Sequence, residues 1–310
     1  MSARRPRIAW WSPLPPHHSG IADYSAELLP HLEQYWEIDL VVDGSEIDPG
    51  LAERHRVIRL EKGDPPPSGR DYDAILYHIG NGPAHIGAYE ALLREPGIVV
   101  LHDVSLTHLV AEITHGRGRT DLLFREMRDQ HGDDAAEDLR RYVYLHEPAP
   151  WLVHPLRYPL NRRVIAAARA VLVHSRFAAE HVRRAHAGVP VEVLEMHAPP
   201  LRAQLGAGRS EPPRIDLCTA GYLTPAKRLE SVLHALAKLS GRLAFSYHVV
   251  GDLAPGYRLA GLVRDLGLQD QVQFHGRVPG AALDALLARA DVCINLRHPT
   301  SGETSAMVLR

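Results

Sequence analysis

Gly97-Ile-Val-Val-Leu-His-Asp103 is the stretch on which the fold turns. Gly97–Leu101 runs without a polar break and then ends abruptly in His102 and Asp103. Consecutive apolar positions leave no solvent face for an extended segment, so the run reads as a strand covered on both sides, as in a parallel sheet. Ala170-Val-Leu-Val173 reads the same way.

Working outward, strands are expected at Arg7–Trp11, Ile38–Val42, Val57–Leu60, Ala74–His78, Ile98–His102, Ala170–His174 and Val191–Leu194. Between them lie helical segments at Ile21–Leu32, Ala84–Arg94, Val164–Arg169 and Phe177–Ala187. Leu28, Leu29 and Leu32 share one helix face. Residues 105–144 are polar and helix-prone, and 147–159 are punctuated by proline. Strands and helices in this alternation require a mostly parallel sheet with helices on both faces.

Residues 196–213 break the pattern. Prolines and glycines with few β-branched residues read as a linker. The alternation then restarts, with strands at Ile215–Ala220, Leu243–Gly251, Val272–Gly276 and Val292–Leu296. Helices are expected at Pro225–Leu239, Tyr257–Leu266 and Ala281–Arg289. A complete doubly wound domain commonly has about six strands, so this second unit reads as incomplete. Glu303–Arg310 reads as the opening of a helix without its following strand, and the chain is expected to be truncated at its C-terminus. The expectation is two Rossmann-like α/β domains, residues 1–200 and 201–310.

The chain has 310 residues, 35 Lys plus Arg and 37 Asp plus Glu, a formal net charge of −2. That balance excludes a nucleic-acid binder working through bulk basic charge. Two cysteines, Cys218 and Cys293, each sit in a strand-like apolar run and are expected as unpaired core thiols of a reducing compartment. No stretch approaches the roughly 18 apolar residues of a membrane span. Ile8–Trp11 is too short for a signal-peptide core, and the expected location is the cytoplasm.

The chemistry-bearing residues gather where strands end. After the first strand, Pro13, Pro15 and Pro16 hold an extended loop, and Ser19-Gly20 opens a helix. The missing side chain at Gly20 would admit close approach to helix N–H groups, which favour anions. Taken alone, the loop is better explained as an ordinary serine-capped turn. No GxGxxG occurs, so a dinucleotide fingerprint is absent, and Asp43 gains little support as a ribose-binding acid. Tyr77-His-Ile-Gly-Asn-Gly-Pro-Ala-His85 follows a strand, and Asn81 and His85 could hydrogen-bond a hydroxylated ligand there. Turn chemistry for Asn81 and a surface position for His85 is the competing explanation. His102 is expected at a strand edge as a donor or acceptor of the ordinary, near-neutral histidine kind, with Asp103 able to orient it or to cap the next helix. None of the 20 histidines falls in an H-E-x-x-H arrangement, so a metal site is weakly supported.

In the second unit, Thr219-Ala-Gly-Tyr-Leu-Thr-Pro-Ala-Lys-Arg-Leu-Glu230 joins strand to helix. Thr224 is expected to cap the helix and Pro225 to open it, which puts Lys227 and Arg228 in the first turn. Cations there oppose the helix dipole, at a cost of up to about 1 kcal/mol unless an anion such as a diphosphate shares the place. Two solvated side chains near Glu230 are the alternative. Val250-Gly251-Asp252 ends the next strand. Asn295-Leu-Arg-His-Pro-Thr-Ser-Gly-Glu-Thr-Ser305 is a dense polar loop with Arg297 as a fixed cation, Glu303 as an acceptor, and hydroxyl donors Ser301, Thr304 and Ser305.

Taken in order, these stretches resemble the bacterial family-four glycosyltransferases of GT-B architecture. The matching pieces are Trp11-Ser-Pro-Leu-Pro-Pro with Ser19-Gly-Ile-Ala-Asp-Tyr-Ser25, Gly80-Asn81 with His85, and Val100-Leu-His-Asp103. They continue with Gly221-Tyr-Leu-Thr-Pro-Ala-Lys227, Val250-Gly-Asp252 and Leu296–Ser305. The resemblance implies two Rossmann-like domains facing a cleft, a sugar nucleotide on the C-terminal domain, and an acceptor mostly on the N-terminal one. It implies retention at the anomeric carbon, without a cofactor and usually without a metal. By the same resemblance His102, Lys227 and Glu303 would be catalytic. Ser19, Gly20, Gly221, Arg228, Gly251, Arg297, Thr304 and Ser305 would hold the donor, and Asp23, Asn81, His85 and Asp103 would lie on the acceptor side. Lys227 would neutralise charge growing on the departing diphosphate. Tyr222 stands where the family often has an arginine, and Glu303 is displaced by one position from the family's first glutamate.

The expected partners are a UDP- or GDP-sugar and a glycan or lipid-linked acceptor of polysaccharide biosynthesis, with no nucleic acid. Arg117, Arg119, Arg125, Arg140 and Arg141 could meet anionic headgroups at the inner face of a membrane, although interleaved acids favour a solvated helix face. Two other classes stay open: a non-catalytic binder of nucleotide-sugar or glycan, and a GT-B sugar-nucleotide epimerase. A nicotinamide dehydrogenase is the least supported, for want of the glycine fingerprint.

Overall fold

A computed structural model describes residues 4–44, 46–61, 63–198 and 214–309. Most of the expected linker, 196–213, lies outside the described residues. The chain divides into two units, the first comprising residues 1–197 with 299–304, the second 198–298 with 305–310.

In the first unit, strands β1 (Arg7–Trp11), β2 (Glu37–Val42), β3 (Arg56–Arg59), β4 (Ala74–Ile79), β5 (Ile98–Leu101), β6 (Ala170–Val173) and β7 (Val191–Val193) form one sheet in the order β3-β2-β1-β4-β5-β6-β7. All six pairings are parallel. Helices α1 (Gly20–Leu32), α2 (Pro49–Arg54) and α3 (Ile86–Leu92) connect the early strands. Four more, α4 (Thr107–Ile113), α5 (Thr120–His131), α6 (Asp133–Leu145) and α7 (Pro150–Val153), occupy the polar region, followed by α8 (Arg162–Ala167) and α9 (Arg176–Ala185).

The period-two alternation of β1 shows why the strands are apolar throughout. Ile8 and Trp10 point into a core with Leu29 of α1 and Leu40 of β2. Ala9 and Trp11 point into the opposite core with Tyr77, Leu92 of α3 and Leu101. Both faces are therefore dry. Asp39, in the middle of β2, is a buried polar exception, held against the Tyr72 hydroxyl at 2.6 Å and the Arg7 guanidinium at 2.6 Å.

The second unit repeats the plan with β8 (Ile215–Ala220), β9 (Phe245–Val250), β10 (Val272–Gly276) and β11 (Val292–Cys293), in the order β10-β9-β8-β11 and all parallel. Helices α10 (Leu229–Leu239), α11 (Ala260–Asp265) and α12 (Gly280–Arg289) join them. Leu217, Tyr247 and Val249 pack with Leu233 and Leu236 of α10.

Several expectations need correcting. The helix expected from Pro225 is a 3-10 turn, Pro225–Lys227, then Arg228 in a left-handed conformation, then α10. Thr224 makes no side-chain cap bond. Lys227 and Arg228 thus precede α10, and the acidic residue of its first turn is Glu230. The last strand shrinks from Val292–Leu296 to two residues, both exposed, so Cys293 is a surface thiol while Cys218 is buried. The helix expected from Glu303 is a single 3-10 turn, Ala306–Val308.

Gly251 fixes the second unit most tightly. Its φ is +125°, and a Cβ there would stand 2.0 Å from the carbonyl oxygen of Gly221. Gly251→Ala is expected to destabilise the chain by about 2 kcal/mol or more, from strained backbone plus a backbone collision. Urea unfolding followed by tyrosine fluorescence or circular dichroism checks this, and an unchanged midpoint would mean the two strand ends are not held this close.

Candidate functional site

Polar groups collect at the carboxyl ends of the strands in both units, where open α/β sheets bind ligands. In the second unit, β8 is followed by Gly221 (φ +106°) and β9 by Gly251. The Gly221 N–H donates to Val250 O at 3.0 Å, and the Gly251 N–H to Gly276 O at 2.7 Å. The 3-10 turn after β8 folds Lys227 back over this edge. The Lys227 side chain is buried, and its Nζ donates to Ala220 O at 2.8 Å, the last carbonyl of β8. A Cβ on Gly221 would sit 3.3 Å from that Nζ. The Lys227 Nζ thus stands against the last carbonyl of β8 and beside the bare backbone of Gly221. Arg228 is exposed. Glu230 accepts from the Tyr257 hydroxyl at 2.6 Å.

In the first unit, β1 leads through the proline loop to Ser19, whose hydroxyl accepts from Ala22 N–H at 3.1 Å and caps α1 as expected. Gly20 and Asp23 are exposed, and a Cβ on Gly20 would meet nothing within 4 Å. Gly80 is crowded instead: a Cβ there would stand 2.7 Å from Ile21 Cδ1 and 2.8 Å from His85 Nε2.

His102 is buried at the end of β5, its Nε2 3.0 Å from Nδ1 of His78 in β4. The His102 ring lies 5.0 Å from that of His174 at the end of β6. Tyr24 of α1 stands edge-on to His102 at 5.4 Å and 5.3 Å from His174. Burial holds His78 and His102 well below the usual histidine range, each imidazole also opposing charge on its neighbours. His85 is buried rather than on the surface. Its Nδ1 lies 2.9 Å from His78 O, and burial pushes it down to about 4.

Asn81 and Asp103, expected to face a ligand, carry protein contacts. The Asn81 Oδ1 accepts from the N–H groups of His108 and Leu109 at 2.9 and 3.1 Å, supplying acceptors at the start of α4. Asp103 lies beside His102 in sequence at the end of β5. It accepts from the Asn81 N–H and the Ser301 hydroxyl, both at 2.8 Å.

The polar loop that precedes Ser305 is largely self-bonded. Glu303 Oε2 accepts from Thr300 Oγ1, the Ser301 N–H and Ser301 Oγ at 2.8, 2.8 and 2.9 Å. Ser301 Oγ thus stands between two carboxylates with a single proton to give. Gly302, at φ +81°, lies where a Cβ would be 2.6 Å from Val104. Arg297, Thr304 and Ser305 are partly buried, and the Ser305 hydroxyl reaches Asn295 Oδ1 at 3.4 Å.

His78, His174 and Tyr24 escaped the sequence reading. The signal was present, since three apolar runs each end in histidine, at Tyr77-His78, Leu101-His102 and Val173-His174. Among the described residues no group of three or more His, Cys, Asp or Glu is placed to hold a metal, and no helix is long and apolar enough to cross a membrane.

Residues 207–309 match the family model described as "Glycosyl transferases group 1". No curated protein sequence matches the chain. Among solved structures, it is similar to a sucrose-phosphate synthase from Thermosynechococcus elongatus (15% identity, 98% of this chain and 78% of that one, TM-score 0.64). It is also similar to WaaG, a glycosyltransferase involved in lipopolysaccharide biosynthesis (12%, 95% and 76%, TM-score 0.59). A third is the Anabaena protein HepE in complex with UDP and glucose (16%, 93% and 73%, TM-score 0.56). At these identities the likeness establishes the fold. The expected α/β class, Rossmann-like parallel sheets of the GT-B type, is borne out.

The buried imidazoles set a pH dependence. A histidine whose folded pKa is depressed binds its proton more readily when unfolded, so its contribution is whole above about pH 6.5 and is lost as pH falls. His85 alone is expected to cost roughly 2 kcal/mol by pH 5. The four tryptophans, Trp10, Trp11, Trp36 and Trp151, all lie in the first unit. Their fluorescence in urea at about pH 7 and about pH 5 reads that unit alone. A midpoint that does not move would contradict the burial of the cluster.

Proposed function

We propose that the chain is a retaining glycosyltransferase that moves a hexosyl unit from a UDP- or GDP-sugar to a glycan or lipid-linked acceptor in cytoplasmic polysaccharide biosynthesis. The observation that carries this reading is a coincidence of position. The family match falls on the unit whose strand edge holds Gly221, Gly251 and the buried ammonium of Lys227. On this reading residues 1–200 serve the acceptor and 201–310 the nucleotide-sugar. Because the Anabaena neighbour was solved with UDP and glucose, a UDP-sugar is the first donor to test.

Transfer breaks the bond between the anomeric carbon and the diphosphate oxygen and forms one to an acceptor oxygen, whose proton is released. Negative charge grows on the diphosphate as it leaves. Lys227 stabilises that charge, with Arg228, Arg297 and the N–H groups after β8 and β9 assisting. His102 and Glu303 hold sugar hydroxyls. Ser19 and Gly20 let the start of α1 approach the donor, Thr304 and Ser305 add hydroxyl contacts, and Asp23, Asn81, His85 and Asp103 shape the acceptor side.

Two substitutions test the reading. Lys227→Met keeps the buried stem and removes the charge, and turnover with UDP-glucose or GDP-mannose is expected to drop about 100-fold or more. Full turnover by the folded variant would end the proposal for Lys227. Gly20→Ala introduces a methyl group into open space at the first position of α1, so thermal stability is expected to hold or rise slightly. Donor affinity by calorimetry is expected to weaken several-fold. Unchanged affinity would remove Gly20 from the donor site.

A further inference from the structure

The histidines at the sheet edge of the first unit can be assigned protons one at a time. The register explains how they meet. His78 pairs with Val100 across β4 and β5, and side chains alternate, so His102 lies on the same face one step along. The His102 N–H donates to Ile79 O at 2.8 Å and prolongs the ladder past β5. His78 and His102 then touch through one nitrogen each, at 3.0 Å, with ring centroids 5.3 Å apart.

A neutral imidazole has one N–H and one bare nitrogen, and the partner of one nitrogen sets the state of the other. Burial keeps these rings neutral. His174 Nδ1 lies 2.9 Å from Leu194 O, and His85 Nδ1 lies 2.9 Å from His78 O. A carbonyl only accepts, so both rings carry their proton on Nδ1. Between His78 and His102 there is room for one proton. If it sits on His102 Nε2, His78 must carry its own on Nε2. That atom is buried with no partner, and so is the Nε1–H of Trp10, whose ring lies 4.3 Å from that of His78. The choice would bury a second donor without an acceptor, an arrangement native interiors rarely tolerate. If the proton sits on His78 Nδ1, the buried orphan is a lone pair and the donor is used.

We propose that His78 is a positioning residue whose Nδ1–H donates to His102 Nε2, fixing the orientation of the His102 ring and holding it as the Nδ1–H tautomer. His102 then offers a ligand a hydrogen-bond donor and no acceptor. An acceptor oxygen, of a hydroxyl-rich or phosphorylated ligand, satisfies it. Only this last step rests on the proposed function, in which His102 meets the transferred sugar. The tautomer itself is a property of the ligand-free chain.

The test is a long-range proton–nitrogen correlation spectrum of the full chain with ring-labelled histidine at neutral pH. His102 is assigned by the signals lost in His102→Gln. The expected result is a pyrrole-type Nδ1 and a pyridine-type Nε2 for His102, opposite to the preference of a free histidine side chain. In His78→Leu the two shifts are expected to exchange or average. In His78→Asn, whose amide N–H₂ occupies the place of Nδ1–H, the wild-type pattern is expected to return. A purely structural role for His78 would leave the tautomer of His102 alone. A protonated Nε2 on His102 in the wild-type chain overturns the proposal. So does an unaltered Nδ1–H pattern in folded His78→Leu. Should His78→Leu fail to fold, the wild-type spectrum and His78→Asn decide. No substrate enters the measurement, so its outcome is separate from whether the chain transfers sugar.

Discussion

The in-step parallel pairing of β4, β5 and β6 is the constraint on which the first unit depends. Leu76 faces Ile98, Ile98 faces Ala170, and Leu101 faces Val173. The three strands therefore run out in nearly the same row. A one-residue slip would turn every side chain of a strand to the opposite face. It would send the apolar side chains of Val99 and Leu101 into the wrong core and pull His102 away from His78. Hydrophobic burial on two faces sets the register, and the register sets the polar edge. The chemistry at the strand ends is thus positioned by residues that never touch it.

The strand-and-helix alternation was legible because parallel strands buried on both sides leave unbroken apolar runs. β1, β8 and β10 occur where the sequence places them, β11 is cut short, and the other strands shift by a residue or two at their ends. Legibility failed where local signals and tertiary demands part. Thr224-Pro225 has the look of a helix start, but the chain turns once, passes through left-handed Arg228 and starts again at Leu229. That detour is what returns Lys227 to the strand edge. Val292–Leu296 is apolar enough for a strand of five, yet only two residues pair with β8.

Site residues were legible as positions and illegible as partnerships. Strand-end rules singled out His102 and Gly221 individually. They could not say that Asn81 would supply acceptors to the free N–H groups of α4, since that bond joins segments 27 residues apart. Nor could they foresee that His78 would touch His102, because the contact needs strand order as well as strand ends. Identity was no guide among 20 histidines. Only the register separates those that meet from those that cap or face water.

The two edges, built on the same plan, differ in what they can hold. The edge of the second unit is backbone and one ammonium. Gly221 and Gly251 approach so closely that a side chain on Gly251 would collide with the opposite carbonyl, and Lys227 lies beside them. Bare glycine backbone beside a lysine Nζ leaves room for another group to come close to both. The edge of the first unit is neutral imidazole under an aromatic ring, and carbonyl partners fix the protons of His174 and His85. Such groups have direction but no charge, which suits hydroxyls more than phosphates. The difference follows from the residue that comes directly after the strands, glycine after β8 and β9 and histidine after β5 and β6.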